Sequence, residues 1–410
     1  MAERRAVTKQ LTERYRKARK KEKAAILDEF CLLTGYNRSY ASRVLRTSPP
    51  AVRKKRPRKR RRVYGADMLF ALKKVWATLD GACGKRVAAV MRRTLEALER
   101  HGELVLSAEV RARLLAISAA TIDRLLAGER ARLQLKGRTG TKPGGLLRSQ
   151  IPVRTFADWD EARPGFLEID LVAHCGGNGG GEYCQTLDVT DVATGWTETR
   201  AVRNKAQVWV FAALKAIRTD LPFPIAGIDS DNGGEFINHQ LARYCDEHKI
   251  TFTRSRAYHK NDSCYVEQKN WSVVRRNVGY ARFDTPEELA VLNELYAVLR
   301  EHTNFFMPSV KLVSKERDGA KVRKHYDTPT TPYDRVLASP DVSDATKRRL
   351  AKRYERLNPA ALKRKIVKLQ GKLYKLTVMK ESIRRREVQA PDFEYIPDES
   401  TNQGFEYFLT

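Results

Sequence analysis

The sequence predicts an α/β protein: a mixed five-stranded sheet with flanking helices, preceded by basic helical segments and followed by a small β-rich segment and a basic helix. Near residue 165 the apolar pattern changes from helical spacing to strand-like alternation. From there the predicted order is βββαβαβαα, which is typical of a mixed sheet with helices on its faces. On both sides of this region, apolar stripes at helical spacing lie within strongly basic sequence.

The charge of the chain indicates a polyanionic partner. The 410 residues carry a formal net charge of +29 and a pI of about 10.0, so a compact chain repels itself unless a polyanion binds it. Nucleic acid is the expected partner, and an acidic membrane surface is the alternative. Apolar runs of 18 residues are absent from the sequence, so no membrane span is expected, and the charged N-terminus does not resemble a signal peptide.

The six cysteines show neither close Cys-x-x-Cys pairs nor zinc-finger spacing. We therefore expect reduced, mostly core thiols in a cytoplasmic protein. Composition and pattern divide the chain into seven parts: a helix-turn-helix DNA-binding domain (1–50), a basic linker (51–64), a second helical DNA-binding domain (65–136), a linker (137–155), the α/β region (156–305), a small β-rich segment (306–340), and a basic C-terminal helix and tail (341–410).

A helix-turn-helix is predicted in the first part. An apolar stripe runs along residues 9–34, Gly35-Tyr36-Asn37 interrupts it, and a basic helix follows. In a helix-turn-helix the second helix enters the major groove. The residues expected to face the groove are Arg38, Ser39, Tyr40 and Arg43. An ordinary helical hairpin is the alternative.

The basic linker carries nine Lys or Arg in the ten residues 53–62. Such a run repels itself and stays extended, so it can lie along phosphates or in a minor groove. The residues expected to contact DNA are Arg53, Lys54, Lys55, Arg56, Arg58, Lys59 and Arg60. A solvated tether is the alternative.

Two further regions have open interpretations. Residues 66–135 are helical, and the short helix expected at 118–126 belongs either to a second helix-turn-helix or to a structural bundle. From Lys347 to Arg386 there are 16 Lys or Arg against two Glu. The leucines and isoleucine of that region form either a seam for a partner helix or the inner side of a DNA-clamping helix. Before it, 308–338 is expected to hold short strands and turns, with Thr331-Pro332 marking a stop.

Within the α/β region, element positions follow from apolar runs and turn signals. Thr285-Pro286-Glu287-Glu288 has the capping-box pattern that starts a helix. The expected strands are 166–175, 183–189, 195–202, 224–229 and 250–254, and the expected helices are 204–217, 239–248, 265–281 and 286–303.

Three acids in this region have the pattern of a metal-dependent phosphoryl-transfer site. Asp170 lies within the first strand, Asp231 just past the fourth strand beside Asn232-Gly233, and Glu267 near the start of a helix. Two Mg²⁺ ions can activate a water or 3′-hydroxyl and stabilise the leaving oxygen, and Mg²⁺ prefers carboxylate oxygens. The three acids are therefore the predicted catalytic residues and metal ligands, with Mg²⁺ or Mn²⁺ as cofactor.

Other polar residues are weaker candidates. Glu168 and His174 share the strand face of Asp170, and Asp229 shares that of Asp231. Any single acid could instead be a cap, an ion-pair partner or a solvated residue. The strand-end position and the adjacent turn favour Asp231 over Asp229.

The motifs around the three acids resemble the catalytic core of the DDE integrase superfamily, which includes retroviral integrases and insertion-sequence transposases. The resemblance covers about 155–305 and includes the 35 residues between Asp231 and Glu267. The matching segments are Asp170 in its strand, Ser230-Asp231-Asn232-Gly233-Gly234-Glu235-Phe236, and Asn261-Asp262-Ser263-Cys264-Tyr265-Val266-Glu267-Gln268-Lys269-Asn270. The chain departs from retroviral integrases in the Gly-rich hairpin at 176–181 and in lacking their N-terminal zinc-binding pattern.

The resemblance implies a ribonuclease-H-like fold, two Mg²⁺ or Mn²⁺ ions, cleavage that exposes 3′ ends, and strand transfer. It implies double-stranded DNA partners, both element terminal inverted repeats and target DNA, a homo-oligomer, and a location at the bacterial nucleoid. A regulator with an inactive core and a non-transposing nuclease remain as alternatives.

Several residues near the acids receive secondary predictions. Lys269, Asn270 and Arg275 are expected to contact DNA, because they follow Glu267 on the same helix. The loop His259-Lys260-Asn261 is a candidate mobile flap. Two pairs are given structural roles: Asp188 and Asp191 as turn formers, and Trp196 and Trp209 as core residues.

Overall fold

The computed structural model describes residues 2–47, 64–132, 163–230, 236, 239–254, 264–318 and 321–387. The chain divides into two compact units, Met1–Val63 and Tyr64–Thr410. Several predicted features lie outside the described residues, namely Asp231, the flap 259–261, the basic linker residues 53–60, the linker 137–155 and the tail from 388 onward. Among the helices that are described, none is long and apolar enough to span a bilayer.

The first unit contains three helices with a small apolar core. They are α1 (Ala2–Lys17), α2 (Lys20–Thr34) and α3 (Arg38–Arg46). The turn between α2 and α3 is the predicted one: Gly35 has a φ of 71°, and the side chain of Asn37 accepts a hydrogen bond from Tyr40 N at 2.8 Å. Glycine adopts this left-handed conformation without strain, and Asn is a favoured N-cap.

The second unit begins with five helices that pack against one another. They are α4 (Ala66–Thr78), α5 (Gly84–Arg100), α6 (Ala108–Ala116), α7 (Ala119–Leu125) and α8 (Ala127–Arg132). Trp76 and Leu95 are fully buried among them, while Ser107 and Ser118 cap α6 and α7. Their apolar residues belong to the same buried cluster as residues of the sheet, so these helices and the sheet form one compact unit.

The sheet is the predicted mixed five-stranded sheet, and the ribonuclease-H-like fold class is confirmed. Its strands are β1 (Phe166–Ala173), β2 (Gln185–Asp191), β3 (Thr197–Val202), β4 (Gly227–Ser230) and β5 (Thr251–Arg254). They lie in the order β3-β2-β1-β4-β5. The pairs β1–β2 and β2–β3 are antiparallel, whereas β1–β4 and β4–β5 are parallel.

Helices pack on this sheet in the predicted order. They are α9 (Gln207–Asp220), α10 (His239–Glu247), α11 (Cys264–Lys269), a π-helical segment (Asn270–Arg275), α12 (Arg276–Val278) and α13 (Pro286–Phe306). The capping box is confirmed: Thr285 Oγ1 accepts from Glu288 N, and Glu288 Oε2 accepts from Thr285 N. The π segment within the predicted helix 265–281 was not foreseen.

The C-terminal region corrects one prediction and confirms that the apolar residues of the basic helix form a seam for another helix. It contains β6 (Leu312–Asp318), β7 (Lys321–Tyr326), α14 (Pro332–Ala338), α15 (Asp344–Arg356) and α16 (Pro359–Glu387). Thr331-Pro332 does not end an element but starts α14, because Thr331 Oγ1 caps Asp334 N and proline suits the first helical position. The apolar seam of α16 packs within the same chain, where Ile366, Leu369 and Leu373 join the buried cluster of α13.

Two core predictions differ in outcome. Trp196 is buried with 1% exposure, as predicted, whereas Trp209 is 43% exposed and the prediction for it was wrong. Trp209 lies in the first turn of α9 and is not among the residues that α9 buries. Five of the six cysteines are free thiols, namely Cys31, Cys83, Cys175, Cys184 and Cys245, and of these only Cys184 and Cys245 are buried. The expectation of mostly core thiols was therefore only partly right.

Candidate active site

One face of the sheet carries a row of acidic side chains across its three central strands. Asp170 on β1 lies directly opposite Asp188 on β2, and Glu168 pairs with Asp229 on β4. Directly paired residues project to the same face of a sheet. Four carboxyl groups therefore share this face, three of them fully buried and that of Asp170 partly exposed.

Strand β4 ends beside the predicted site. The register of β1 and β4 runs to the pair Ile169–Ser230. The next residue after Ile169 is Asp170, and the next after Ser230 is Asp231; of these two, only Asp170 is described. Two of the three predicted catalytic acids can therefore be placed: Asp170 on β1 and Glu267 on α11.

A hydrogen bond joins Asp170 to the helix that carries Glu267. Asn270 Nδ2 donates to Asp170 Oδ2 at 2.5 Å, while Leu171 N donates to Asp170 Oδ1 at 2.8 Å. Residues three apart on a helix lie on adjacent parts of one face. Because Asn270 is three residues after Glu267, this bond holds the helix that carries Glu267 against β1.

Glu168, a weaker candidate for metal binding, holds the start of the same helix. Its Oε2 accepts hydrogen bonds from Tyr265 N at 2.8 Å and Val266 N at 3.0 Å. A carboxylate on the free N–H groups of a first helical turn satisfies them and interacts favourably with the helix dipole. This cap comes from β1, about 100 residues earlier in the chain.

His174, the other candidate on this face, is also a structural residue. It is fully buried, and its Nε2 lies 2.7 Å from Thr186 Oγ1, which in turn lies 2.7 Å from Tyr296 Oη. Burial and the positive charge of Arg275 lower the pKa of His174 to about 3. It is therefore neutral at physiological pH and forms part of a buried polar chain between β1 and α13.

Asp188 is the acid that sequence reasoning assigned wrongly. It does not form a turn but lies within β2, fully buried, with an Oδ2 that has no hydrogen-bond partner among the residues that the structure describes. Burial raises its pKa well above the usual range, Asp170 raises it further, and Lys269 opposes the rise. To place Asp188 opposite Asp170 from the sequence, one would need both the alternation of β2 and the register in which β1 and β2 pair. Asp191, by contrast, is the predicted turn former and accepts from Gly165 N and Thr194 N.

Asp229 is held in the protein interior. It is 1% exposed, and Thr253 Oγ1 donates to its Oδ1 at 2.6 Å across β4 and β5. A partner of this kind orients the carboxylate within the sheet. Asp231 stays the candidate that the sequence prefers over Asp229.

Lys269 lies half-buried between the sheet acids and a set of cations. Burial lowers its pKa to about 8, the carboxyl group of Asp188 opposes this shift, and the positive charges of Arg86 and Arg335 add to it. An ammonium group in such surroundings gains from an additional anion. The position therefore suits a phosphate group of a substrate.

Arg275, predicted to contact DNA, forms contacts within the protein. Its guanidinium donates to Ala173 O at 2.7 Å and lies 4.8 Å from the Tyr280 ring centre. It ends the π segment that interrupts the helix after Glu267. Single π-helical turns inside α-helices are frequent at functional sites. The segment begins at Asn270, which contacts Asp170, and ends just before Arg276, which pairs with Asp80.

A buried ion cluster anchors the far end of this helix to the N-terminal helices of the second unit. The carboxylate of Asp80, after α4, pairs with Arg276 Nε at 2.9 Å and Lys363 Nζ at 2.6 Å. Burial alone would raise the pKa of Asp80, but Lys363 and Arg276 lower it below its usual value. Nearby, His302 Nε2 lies 2.7 Å from Thr78 O. The cluster ties α4, α12, α13 and α16 together.

The donor chemistry fits a hard divalent cation. Asp170 and Glu267 provide carboxylate oxygens at or near the surface, and the buried, unpartnered Oδ2 of Asp188 lies on the same sheet face as Asp170. Carboxylate oxygens are the ligands that Mg²⁺ prefers. Within the described part of the chain, no three His, Cys, Asp or Glu side chains are grouped closely enough to hold a metal ion. The predicted third ligand, Asp231, is outside that part.

Comparison with known proteins gives a family match for the sheet region. The family model for the integrase core domain matches residues 160–260. This segment includes Asp170 and Asp231 and ends before Glu267. An uncharacterized protein of Sinorhizobium fredii, y4rM, is 44% identical over 338 residues, which cover 82% of this chain and 95% of that protein.

Two solved structures with similarity to the chain are integrase catalytic core domains. The integrase catalytic core domain of HTLV-2, solved with magnesium, is 13% identical, with a TM-score of 0.28 and coverage of 37% of this chain and 93% of that chain. The catalytic core domain of BIV integrase is 15% identical, with a TM-score of 0.27 and coverage of 42% and 91%, respectively.

Proposed function

Because this chain belongs to the family of the Sinorhizobium protein y4rM and contains an integrase core domain, we propose that it is a DDE-type transposase. It binds the ends of a mobile element, cleaves to expose 3′-hydroxyls and joins them to target DNA. The observation that carries the proposal is the hydrogen bond from Asn270 to Asp170, which links the helix of Glu267 to the acidic strand β1.

The proposed catalytic residues and metal ligands are Asp170, Asp231 and Glu267. When bound, Mg²⁺ or Mn²⁺ supplies activation of the attacking water or 3′-hydroxyl and stabilisation of the leaving oxygen. Asn270 orients the carboxylate of Asp170, and Glu168 fixes the start of the helix that carries Glu267. Preorganisation of this kind avoids the cost of arranging the charged groups during the reaction.

Lys269 and Asn270 are the proposed DNA contacts nearest to the acids. Lys269 is partly exposed, has cations as neighbours and would bind a phosphate next to the scissile bond. Arg275 instead holds the helix in place, because its guanidinium donates to Ala173 O. The basic residues Arg53, Lys54, Lys55, Arg56, Arg58, Lys59 and Arg60 remain proposed phosphate contacts on the strength of their charge alone.

The first unit is the proposed end-binding domain. Two helices joined by the Gly35–Asn37 turn, the second of them basic, support a helix-turn-helix in which Arg38, Ser39, Tyr40 and Arg43 face the groove. Tyr40 is 41% exposed, and the Arg43 guanidinium lies 5.2 Å from its ring centre. Stacking of this kind holds the guanidinium of Arg43 ready for a phosphate or a base edge.

Replacing Arg43 with alanine is expected to weaken binding to element-end DNA by about tenfold, because one charged contact contributes about 1–3 kcal/mol. The slope of log affinity against log salt should fall by about 1. Fluorescence anisotropy across a salt series measures both quantities. Arg14→Ala, on α1 of the same unit, is the control, since Arg14 pairs with Glu29 of α2. Equal affinities for the Arg43 variant and the wild type would argue against a DNA-facing α3.

A strand-transfer assay tests the proposed activity. The protein is incubated with a labelled duplex carrying the inverted repeat that flanks its gene, with plasmid target and Mg²⁺. We expect nicked ends and labelled plasmid, and EDTA should abolish both. Nicking without joining would identify a nuclease, and neither product on cognate ends would favour a regulator. Because two ends must be joined together, we expect a multimer on end DNA, which light scattering measures.

A further inference from the structure

A cavity of about 350 Å³ lies beside the helix that carries Glu267. Gln268, Lys269 and Trp271 line it on the helix side, Arg86 of α5 lines it on another side, and Ser309 lies in the segment after α13. All of these residues lie outside the segment that matches the integrase core domain. The cavity therefore lies beyond the matched segment, where the end of the α/β region meets α5 and the segment after α13.

Its lining combines an exposed aromatic side chain with positive charge, and the carboxylate of Asp80 that also lines it is paired with Arg276 and Lys363. Trp271 is 49% exposed, whereas Trp76 and Trp196 are each 1% exposed. The faces of aromatic side chains stack on nucleic-acid bases whatever the base sequence. Lys269 and Arg86 are cations suited to a phosphate, and Gln268 brings an amide that can donate to and accept from a base edge.

The size of the cavity limits what it can hold. Its volume is at the lower end of the range of about 300–1,000 Å³ that is usual for small-molecule sites. One nucleotide fits such a volume, whereas a base pair within a duplex does not. A nucleotide must therefore leave the base stack to enter, which costs a few kcal/mol and is cheapest where the DNA is already unpaired.

We propose that this cavity binds a single unstacked nucleotide of the DNA substrate, with its base on Trp271 and its phosphate between Arg86 and Lys269. The inference rests on the proposed function, since the helix of Glu267 presents the cavity next to the scissile phosphate. One consequence concerns substrate choice. Ends that are unpaired at the nucleotide beside the cleavage position should be cleaved faster than fully paired ends.

Binding of the single-stranded oligonucleotide dT5 tests the cavity directly. The full chain is titrated at about 0.3 M salt, which weakens purely electrostatic binding elsewhere. We expect dT5 to quench tryptophan fluorescence in the wild type and in Trp209→Phe, and to quench much less in Trp271→Phe. Anisotropy of labelled dT5 should show about tenfold weaker binding for Trp271→Ala and little change for Trp209→Ala, since base stacking contributes about 1–3 kcal/mol.

Trp209 is a matched control because it is similarly exposed, at 43%, and lies on α9. Equal affinity of dT5 for Trp271→Ala and the wild type, or equal losses for both alanine variants, overturns the proposal. If the alanine variant does not fold, the quenching difference for Trp271→Phe decides. If Trp271→Ala loses dT5 binding but the wild type never joins DNA ends, the proposal for the cavity holds and the proposed function is wrong. If Trp271→Ala joins DNA ends as the wild type does, and the wild type shows no preference for unpaired ends, the proposed function holds and the proposal for the cavity is wrong.

Discussion

Replacement of Glu267 by glutamine is expected to reduce the rate of DNA-strand cleavage by about 10³-fold, with DNA binding unchanged or slightly tighter. The side chain is exposed on α11, so the change leaves the core intact. It removes one negatively charged ligand, and a loss of about 4 kcal/mol in transition-state stabilisation corresponds to this factor. Single-turnover cleavage of labelled end DNA measures the rate, and anisotropy measures the binding.

Asp170→Asn should produce a loss of similar size, since the amide can still accept the hydrogen bond from Asn270 but carries no charge. Glu287→Gln is the matched control, because Glu287 is an exposed glutamate in the first turn of another helix, α13. We expect that variant to cleave at the wild-type rate. A Glu267→Gln enzyme that retains more than a tenth of the wild-type activity would remove Glu267 from the proposed set of ligands.

Loss of the Asp80 carboxylate is expected to be the most destabilising single change in the second unit that we consider. Asp80→Asn leaves Lys363, whose side chain is 4% exposed, and Arg276 without their negative partner. Removing one member of a buried ion pair costs about 3–5 kcal/mol, because the remaining charge stays buried. We expect the melting temperature to fall by about 6–10 °C, as measured by calorimetry.

The same cluster has a defined pH dependence. The pKa of Asp80 is lowered from its ordinary value of 3.8, so its contribution to stability is present above that pH and is lost as the pH falls below it. The difference in melting temperature between the wild type and Asp80→Asn should therefore be constant from pH 6 to 8, and narrow below about pH 4.

Glu109→Ala serves as the control for this experiment. It removes an exposed ion pair with Arg113 on α6, with side chains 73% and 41% exposed, and should cost less than about 0.5 kcal/mol. The double variant Asp80→Asn with Lys363→Met should recover part of the lost stability, because it removes the buried ammonium group that Asp80→Asn leaves without a negative partner. Equal melting temperatures for Asp80→Asn and Glu109→Ala would show that the cluster does not stabilise the unit.

Local sequence patterns determined much of this architecture. Apolar runs bounded by turn signals predicted five strands and their order along the chain, because short apolar runs of this length form buried strands. The Thr285-Pro286-Glu287-Glu288 box and the Gly35-Tyr36-Asn37 turn were predicted correctly, since capping and left-handed turns depend on neighbouring residues only. The same local logic placed Asp170 within the first strand and Glu267 near the start of a helix.

Only the tertiary structure decided which distant groups meet. The roles of Glu168 as a cap for α11 and of Asp188 as the partner facing Asp170 depend on strand register and on a contact across about 100 residues. Asp80 and Lys363 are 283 residues apart in the chain. Periodicity shows which face of an element is apolar, but it carries no information about which element covers that face. For this reason the charge and motifs indicated the chemistry, and only the packing of the chain could reveal the anchors of the helix that carries Glu267 and the cavity beside it.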